Sequence, residues 1–148
     1  MLEYWETKFP GQMRIYGSRF EPFACAEFSN QLQKWTGETR LGLPVLVGAD
    51  LEGGASSVTR SGVTKFPLQM ALGAANSVKL EDVSRTIARE SLALGVHMNH
   101  RPVADVNNNP ENPIVGIRSY GSDVEKVSLM VEAAIRGAEE EGLLTIAK

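Results

Sequence analysis

Apolar and polar positions along this chain alternate between two patterns. Short apolar runs predict four strands, at residues 13–18, 43–50, 96–106 and 143–148. Segments with apolar residues at helical spacing predict three helices between them, at residues 22–40, 77–95 and 122–142. The predicted order is therefore β-α-β-α-β-α-β.

Each predicted helix carries an apolar stripe. The clearest stripe, in 122–142, consists of Val124, Val127, Val131, Ile135 and Ala138, with charged residues opposite. In 77–95 the stripe consists of Leu80, Val83, Ile87 and Leu94, and Gly95 closes the helix. In 22–40 the residues that fall roughly on one face are Phe23, Phe28, Leu32 and Trp35.

Strands that alternate with helices pair in parallel through right-handed crossovers. Two architectures fit this pattern, an open doubly wound sheet and a closed (β/α)8 barrel. The nearly continuous apolar run 43–50 is typical of a parallel strand that is covered on both faces. A barrel needs about 250 residues and eight strands, and this chain offers about half of that. Because its last apolar run would form an exposed sheet edge, we expect an incomplete domain.

Composition and charge limit the classes of partner. The chain has 148 residues, of which 43% are hydrophobic and 22% charged, an ordinary globular composition. A net charge of -3 and a pI near 5.4 argue against nucleic acid and anionic membrane surfaces. No apolar run could span a bilayer, and the first ten residues lack the features of a secretory signal. Cys25, the single cysteine, is interpreted as a small buried thiol, which fits the cytoplasm.

The predicted strand 43–50 ends in two carboxylates and a glycine pair, within PVLVGADLEGGA. In both parallel architectures, functional groups lie in loops beyond the carboxyl ends of strands, which is where Asp50 falls. The two glycines would let the backbone approach a ligand closely. The alternative is a turn in which Asp50 and Glu52 only cap backbone amides. A phosphate site is disfavoured because the segment lacks both the G-x-G-x-x-G spacing and a Walker lysine.

Residues 104–121 are dense in Asn, Pro and Gly and predict a long, ordered loop after the third strand. Long loops at this end of a parallel strand are often functional. Arg118 is the candidate binding residue, because a guanidinium can bind two oxygens of a sugar or carboxylate at once. The alternative is a structural ion pair between Arg118 and either Asp105 or Asp123.

Two histidines lie close enough in sequence to suggest a metal site. In an extended strand, however, His97 and His100 point to opposite faces, so shared ligation is not expected. His97 is interpreted as a packed core residue and His100 as a contact residue near the site. We expect neither a metal nor any other cofactor.

Several motifs, in this order, resemble the N-terminal part of glycoside hydrolase family 3 enzymes. They are GADLEGG, FPLQMALGAA, ARESLALGVHMNHRPVADVNNNPENPIVGIRSYGSD and the closing GLLTIAK. The form NPENPIVGIRSYG is similar to the β-N-acetylhexosaminidase (NagZ-like) branch, whereas β-glucosidases usually carry Asp-Pro-Arg-Trp-Gly-Arg there. The resemblance implies that residues 1–148 form the N-terminal half of a (β/α)8 TIM-type barrel, with about four parallel strands.

The resemblance also implies roles for individual residues. Asp50 would hydrogen-bond sugar hydroxyls in the −1 subsite, Arg118 would contact the same sugar, and Lys148 would begin the Lys-His-Phe-Pro-Gly-His-Gly motif. A family arginine after Glu-Gly-Gly falls near Arg60, although the spacing is longer here. Glu52 would brace its loop through backbone amides. The family's nucleophile, a late aspartate, and its acid/base histidine would lie beyond Lys148, so no catalytic residue is assigned.

The resemblance therefore predicts a fragment of a glycosidase. The full-length enzyme would remove terminal β-linked N-acetylglucosamine from glycans or muropeptides by a retaining mechanism, in the cytoplasm, as in peptidoglycan recycling. Its gene would continue past Lys148 with His-x-Pro-Gly-His-Gly. One alternative is a non-catalytic half-barrel that binds sugar or forms a homo-oligomer through exposed strand edges. Another is an unrelated open α/β protein that binds a nucleotide.

Overall fold

The computed structural model describes residues 7–8, 10–17, 20–76 and 78–148. Its strands are β1 (Gln12–Ile15), β2 (Leu46–Ala49), β3 (Met98–Asn99) and β4 (Leu144–Thr145). Its main helices are α1 (Pro22–Gly37), α2 (Gln69–Ala74), α3 (Leu80–Ala93) and α4 (Val124–Glu139). The predicted boundaries at Ser18 and Ser77 lie outside the described residues. None of the helices described here is long and apolar enough to cross a membrane.

The four strands form one parallel sheet in the order β1-β2-β3-β4. Each strand therefore pairs with the next one along the chain. A doubly wound sheet instead reverses its strand order at a switch point, whereas a (β/α)8 barrel keeps sequence order throughout. The predicted α/β class and half-barrel arrangement are confirmed by this topology.

Among the described residues, the helices cover one face of this sheet. Val47 and Ala49 lie two residues apart in β2, so both point to the helical face. Both are fully buried, in a core that includes Leu32 of α1 and Ile87 of α3. The opposite face carries side chains that are partly exposed: Leu46 at 38%, Leu144 at 48% and Ile146 at 41%. The prediction that 43–50 is covered on both faces is wrong, because these elements supply only the outer helical layer.

Helix α1 turns most of the predicted face to the core: Leu32 is buried and Phe28 and Trp35 pack partly against the core, but Phe23 does not. Phe23 is 76% exposed, and the buried positions are Cys25, Ser29, Leu32 and Thr36. The small side chains Cys25 and Ser29 are also buried, so the aromatic spacing located only part of the buried face. Cys25 is fully buried, as predicted, and burial raises the pKa of its thiol.

Helices α3 and α4 pack closely against each other. A Cβ added to Gly137 of α4 would lie within 2.3 Å of the carbonyl oxygen of Glu81 in α3, so this crossing needs a glycine. The predicted stripes largely hold: Leu80, Ile87, Val127 and Ala138 are buried. Val124 is the exception at 64% exposed, because it is the first residue of α4 and points away from the core.

The third strand is much shorter than the predicted run 96–106. Pro102 has no N–H for a strand ladder, and the next residue, Val103, pairs with a side chain instead of a strand. The amide of the buried Gln69 donates to the Val103 carbonyl at 2.9 Å and accepts from the Val103 N–H at 2.9 Å. Gln69 begins α2, a helix that the sequence analysis did not predict.

Candidate functional site

Asp50 directly follows the carboxyl end of β2. Cationic side chains contact both of its carboxylate oxygens. Lys148 Nζ lies 2.5 Å from Oδ1, and Arg14 Nη2 contacts Oδ2. Partial burial alone would raise the pKa of Asp50, but the hydrogen bonds from Lys148 and Arg14 outweigh it and lower the pKa. Asp50 is therefore a charged acceptor at the edge where the strands end.

Glu52 lies beside Asp50 and joins two of the predicted binding residues. Its carboxylate accepts two hydrogen bonds from Arg118, at 2.8 Å from Nη2 and 2.9 Å from Nε, and lies 3.0 Å from Lys148 Nζ. Burial would raise its pKa, but Arg118 and Lys148 lower it. The prediction that Glu52 braces its loop through backbone amides is wrong, since its oxygens contact these cations.

Arg118 has a different ion-pair partner from the two proposed. It pairs with Glu52 rather than with Asp105 or Asp123. Asp123 instead accepts a hydrogen bond from the Lys126 N–H and caps α4. Asp105 is near enough to act electrostatically, although Glu52 is the main cause of the raised pKa of Arg118.

The loop that presents Arg118 is tied at its base, as the prediction of an ordered loop requires. The buried Ser119 hydroxyl donates to the carbonyl of Asp105 at 2.6 Å, and the N–H of Asn107 donates to the carbonyl of Gly121 at 2.8 Å. A short 3₁₀ turn, Gly116–Arg118, ends the loop next to Ser119. Arg118 therefore projects from a loop whose two ends are joined to each other by hydrogen bonds.

Lys148 follows β4 on the same edge of the sheet. Its N–H donates to the carbonyl of Pro102 at 3.0 Å, and its carbonyl accepts from the N–H of Ala104 at 2.5 Å. These backbone bonds extend the β3–β4 pairing beyond the short ladder. They direct the Lys148 ammonium between Asp50 and Glu52.

The glycine pair after Glu52 serves the turn itself. Gly54 has φ +86°, and a Cβ there would lie 3.0 Å from the ring of Phe66. The N–H of Phe66 also donates to the carbonyl of Gly53 at 3.2 Å. The loop therefore folds back on its own core, and the expected close approach of these glycines to a ligand stays a prediction.

A polar pair fills the space next to Gly48, two residues before Asp50 in the chain. Gln12 Nε2 lies 3.1 Å from Nε2 of His100, and both side chains lie within 3.3 Å of where a Gly48 Cβ would be. His100 is buried, which lowers its pKa together with the charge of Arg14. This position agrees with the interpretation of His100 as a contact residue near the site.

Two further residues that the sequence analysis singled out, His97 and Arg60, have other surroundings. The half-buried His97 accepts a hydrogen bond at Nδ1 from the Val47 N–H at 3.3 Å. Within the described ranges, no group of three or more His, Cys, Asp or Glu side chains could hold a metal. Arg60 is exposed beside the bridge between Phe20 and Thr59, and its contact with sugar stays a prediction.

Arg14 is the site residue that the sequence analysis missed. It lies in β1 opposite Gly48, on the face away from the helices, and its guanidinium reaches Asp50. A charged residue at such a position in an otherwise β-type run was the available signal. Together these side chains offer alternating acceptors and donors on one small surface, which suits a ligand rich in hydroxyls.

Comparisons with known proteins show which family has this fold. Residues 10–148 match the Glycosyl hydrolase family 3 N terminal domain. A β-N-acetylglucosaminidase structure of this family from Paenibacillus sp. str. FPU-7 superposes with a TM-score of 0.90 at 36% identity, over 99% of this chain and 28% of that one.

Two curated relatives also match. Beta-hexosaminidase A of Pseudoalteromonas piscicida is 30% identical over 81% of this chain, and a Beta-N-acetylglucosaminidase/beta-glucosidase of Cellulomonas fimi is 35% identical over 72%. The chain spans 21% and 19% of the lengths of these two relatives. It therefore belongs to glycoside hydrolase family 3 and corresponds to the N-terminal, barrel-type domain of that family.

Proposed function

We propose that this chain carries part of the N-acetylglucosamine-binding wall of a retaining β-N-acetylglucosaminidase. One observation supports this most: Asp50, Glu52, Arg118 and Lys148 meet in one connected cluster at the carboxyl edge of a parallel sheet. That edge is where barrel enzymes bind their substrates. The names of the relatives, β-hexosaminidase and β-N-acetylglucosaminidase, support the choice of sugar.

In this proposal each charged group contacts a different part of the sugar. The Asp50 carboxylate accepts hydrogen bonds from hydroxyls, and the Arg118 guanidinium and Lys148 ammonium donate to oxygens. Sugar binding exchanges some contacts within the cluster for contacts to hydroxyls. Because the cluster pairs its own charges first, it suits a neutral polar ligand better than a strongly charged one.

The two carboxylates of the cluster do not supply the chemistry. Both contact Lys148 Nζ, at 2.5 Å and 3.0 Å, so the two carboxylates lie close enough together to be compared with a catalytic pair. A general acid, however, needs a pKa raised toward the working pH. Asp50 and Glu52 instead have lowered pKa values and remain ionised. The lowered pKa values argue against Asp50 and Glu52 as the general acid. As the family resemblance implies, we assign the nucleophile and the acid/base, within this proposal, to residues outside these 148.

The binding proposal is tested on the chain itself by NMR. Addition of N-acetylglucosamine should shift the backbone signals of the Asp50 and Arg118 segments. Asp50→Asn should weaken binding about tenfold or more, because it loses a charge-assisted hydrogen bond of about 1.5–3 kcal/mol. Asp82→Asn, at an exposed aspartate on α3 that pairs with Arg85, is the matched control and should bind normally. Equal binding by the wild type and Asp50→Asn would refute the proposal.

A non-catalytic half-barrel that binds sugar or oligomerises is the second candidate, favoured by the exposed apolar side chains on the inner face of the sheet. The product of the complete gene separates the two functions. It should cleave an aryl N-acetylglucosaminide, while the 148-residue chain alone should not. Cleavage by the chain alone would contradict the assignment of the reacting groups. An inactive complete product that binds the sugar would favour the second candidate.

A cytoplasmic location and a role in peptidoglycan recycling belong to the same proposal. The buried, unpaired Cys25 thiol is compatible with a reducing compartment. Cell fractionation with an antibody against the chain tests the location. Accumulation of N-acetylglucosamine-containing muropeptides in a deletion strain tests the role, and accumulation of chitooligosaccharides alone would point to a different substrate.

A further inference from the structure

We propose that Arg14 is a positioning residue for Asp50 and that Tyr16 keeps the Arg14 guanidinium in place. This inference deepens the proposed function and rests on Asp50 as a sugar-binding group. It is carried by geometry. The guanidinium contacts Asp50 Oδ2, and its central carbon lies 4.3 Å from the centre of the Tyr16 ring.

The strand register explains why Arg14 can reach Asp50. Arg14 pairs with Gly48 across the β1–β2 ladder, so Asp50 lies one side-chain repeat nearer the carboxyl edge on the adjacent strand. Gly48 itself carries no side chain that could separate the two. Tyr16 lies two residues after Arg14, on the same face and toward the same edge, and stacks on the guanidinium as a cation–π pair.

The other charged groups near Asp50 leave a separate task for Arg14. Lys148 is shared between Asp50 and Glu52, and Arg118 is bound to Glu52 by two hydrogen bonds. His100, directly after β3, acts on this cluster only weakly because burial favours its neutral form. Within the described part of the chain, Arg14 alone contacts Oδ2 of Asp50. Loss of Arg14 would therefore free one carboxylate oxygen and let the side chain rotate.

Two consequences follow for a bound sugar. First, a fixed Asp50 carboxylate presents its free lone pairs in one orientation, so that less side-chain entropy is lost when the sugar binds. Second, the adjacent positive charge keeps Asp50 ionised and therefore able to accept from two hydroxyls. Tyr16 contributes indirectly, because the ring limits the conformations of the guanidinium.

The experiment follows Asp50 directly by ¹³C NMR of labelled carboxyl groups in the full chain, together with titration by N-acetylglucosamine. Arg14→Met keeps the length of the side chain but removes the charge. It should raise the titration midpoint of Asp50 and weaken sugar binding about tenfold. Arg14→Lys should retain the midpoint better than the affinity, because it keeps a charge without the planar fork. Tyr16→Ala should produce a smaller loss, and Tyr16→Phe should bind like the wild type.

Arg136→Met is the matched control, since it removes an exposed arginine on α4 that pairs with Glu132. It should change neither the Asp50 midpoint nor the affinity. If Arg14→Met leaves the midpoint and the affinity unchanged, the inference is overturned. If Arg14→Met does not fold, the sugar affinities of Arg14→Lys and Tyr16→Ala decide instead, and unchanged affinities in both variants overturn the inference. Absence of sugar binding by the wild type would refute the proposed function instead, while the Asp50 midpoint would still report on Arg14.

Discussion

At the scale of single residues, Asp50 and Glu52 keep their negative charges because cations contact both of them. Arg14 and Lys148 lower the pKa of Asp50, and Arg118 and Lys148 lower that of Glu52. Carboxylates of this kind are poor proton donors and good acceptors. The residue chemistry therefore fits recognition of hydroxyls and leaves proton transfer to other groups.

These lowered pKa values predict how stability depends on pH. Each carboxylate stabilises the fold above its unfolded-state pKa, about 4, and this contribution is lost as the pH falls through its folded-state pKa. His97 and His100 also have lowered pKa values because of burial. Below about pH 6.5, their unfolded-state pKa, protonation of the unfolded chain therefore starts to lower the stability of the fold. We expect the free energy of unfolding by urea to fall in two stages, near pH 6 and below pH 4.

Glu52→Gln isolates the second stage. The amide cannot ionise, so the decline below pH 4 should be shallower than in the wild type, while the decline near pH 6 stays the same. At pH 7 the variant should be less stable by about 1–3 kcal/mol, because Arg118 loses a charged partner. Identical pH profiles for the wild type and the variant would show that the Glu52–Arg118 pair does not contribute.

The sequence predicted part of this residue-level chemistry. Asp50 could be located because an acid directly after a buried strand must lie at the carboxyl edge. Glu52 could not be assigned correctly, since its partner Arg118 is 66 positions away in the chain and only the fold brings them together. Arg14 was missed because its meaning depends on its register opposite Gly48, which the pattern of one strand does not contain.

At the scale of elements, α2 connects the core to the loop that carries Arg118. Gly73 of α2 packs directly on the backbone of Tyr120, where an added Cβ would lie 1.8 Å from the carbonyl oxygen. Gln69 of the same helix holds Val103 in place of a neighbouring strand. This short helix therefore fixes both ends of the segment between β3 and Arg118.

Gly73→Ala should accordingly be destabilising. The new methyl group cannot be accommodated without moving the backbone at Tyr120, and we expect a loss of about 3 kcal/mol or more in the free energy of unfolding. Gly37→Ala, at the end of α1 with open space around it, is the control and should be neutral. Urea unfolding of both variants measures the difference. Equal midpoints for Gly73→Ala and the wild type would mean that α2 does not hold the loop.

The start of α4 provides a milder test at this scale. The Asp123 carboxylate accepts from the Lys126 N–H at 2.7 Å, an N-terminal cap. Asp123→Ala should cost about 1 kcal/mol of stability. Asp123→Asn should restore most of it, because asparagine caps as well, and thermal unfolding can compare the two. A loss of the same size in Asp123→Asn would assign the effect to charge rather than to capping.

Element order and the long helices were predictable, whereas short elements were not. Helix α4 has a regular stripe and an Asp at its cap, so the pattern located it well. Strand β3 was predicted too long because Gln69 takes the backbone bonds of Val103, while, among the described residues, Pro102 and Ala104 pair only with Lys148, and no periodicity reveals that. Helix α2 has only six residues, which is too short for a helical repeat to be visible.

At the scale of the whole molecule, the described part of the chain leaves the sheet with one covered face and one open face. The helices bury Val47 and Ala49 on one side, whereas Leu46, Leu144 and Ile146 remain partly exposed on the other. Among the described residues, β1 and β4 each have only one neighbouring strand. A complete barrel would pair these edges and fill the inner face with side chains.

We therefore expect the isolated chain to associate through this open face and its edges, as a homo-oligomer or an aggregate. Burial of apolar surface stabilises by roughly 25 cal/mol per Å², so even a modest contact between two copies would be favourable. Light scattering coupled to gel filtration over a range of concentrations measures this.

Leu144→Lys places a charge on the open face and should shift the chain toward monomer. Leu129→Lys places the same charge on the outer surface of α4, where the side chain is 67% exposed, and should have no effect. A wild-type chain that stays a single, cooperatively melting monomer at all concentrations would show that the half-barrel is stable without a partner.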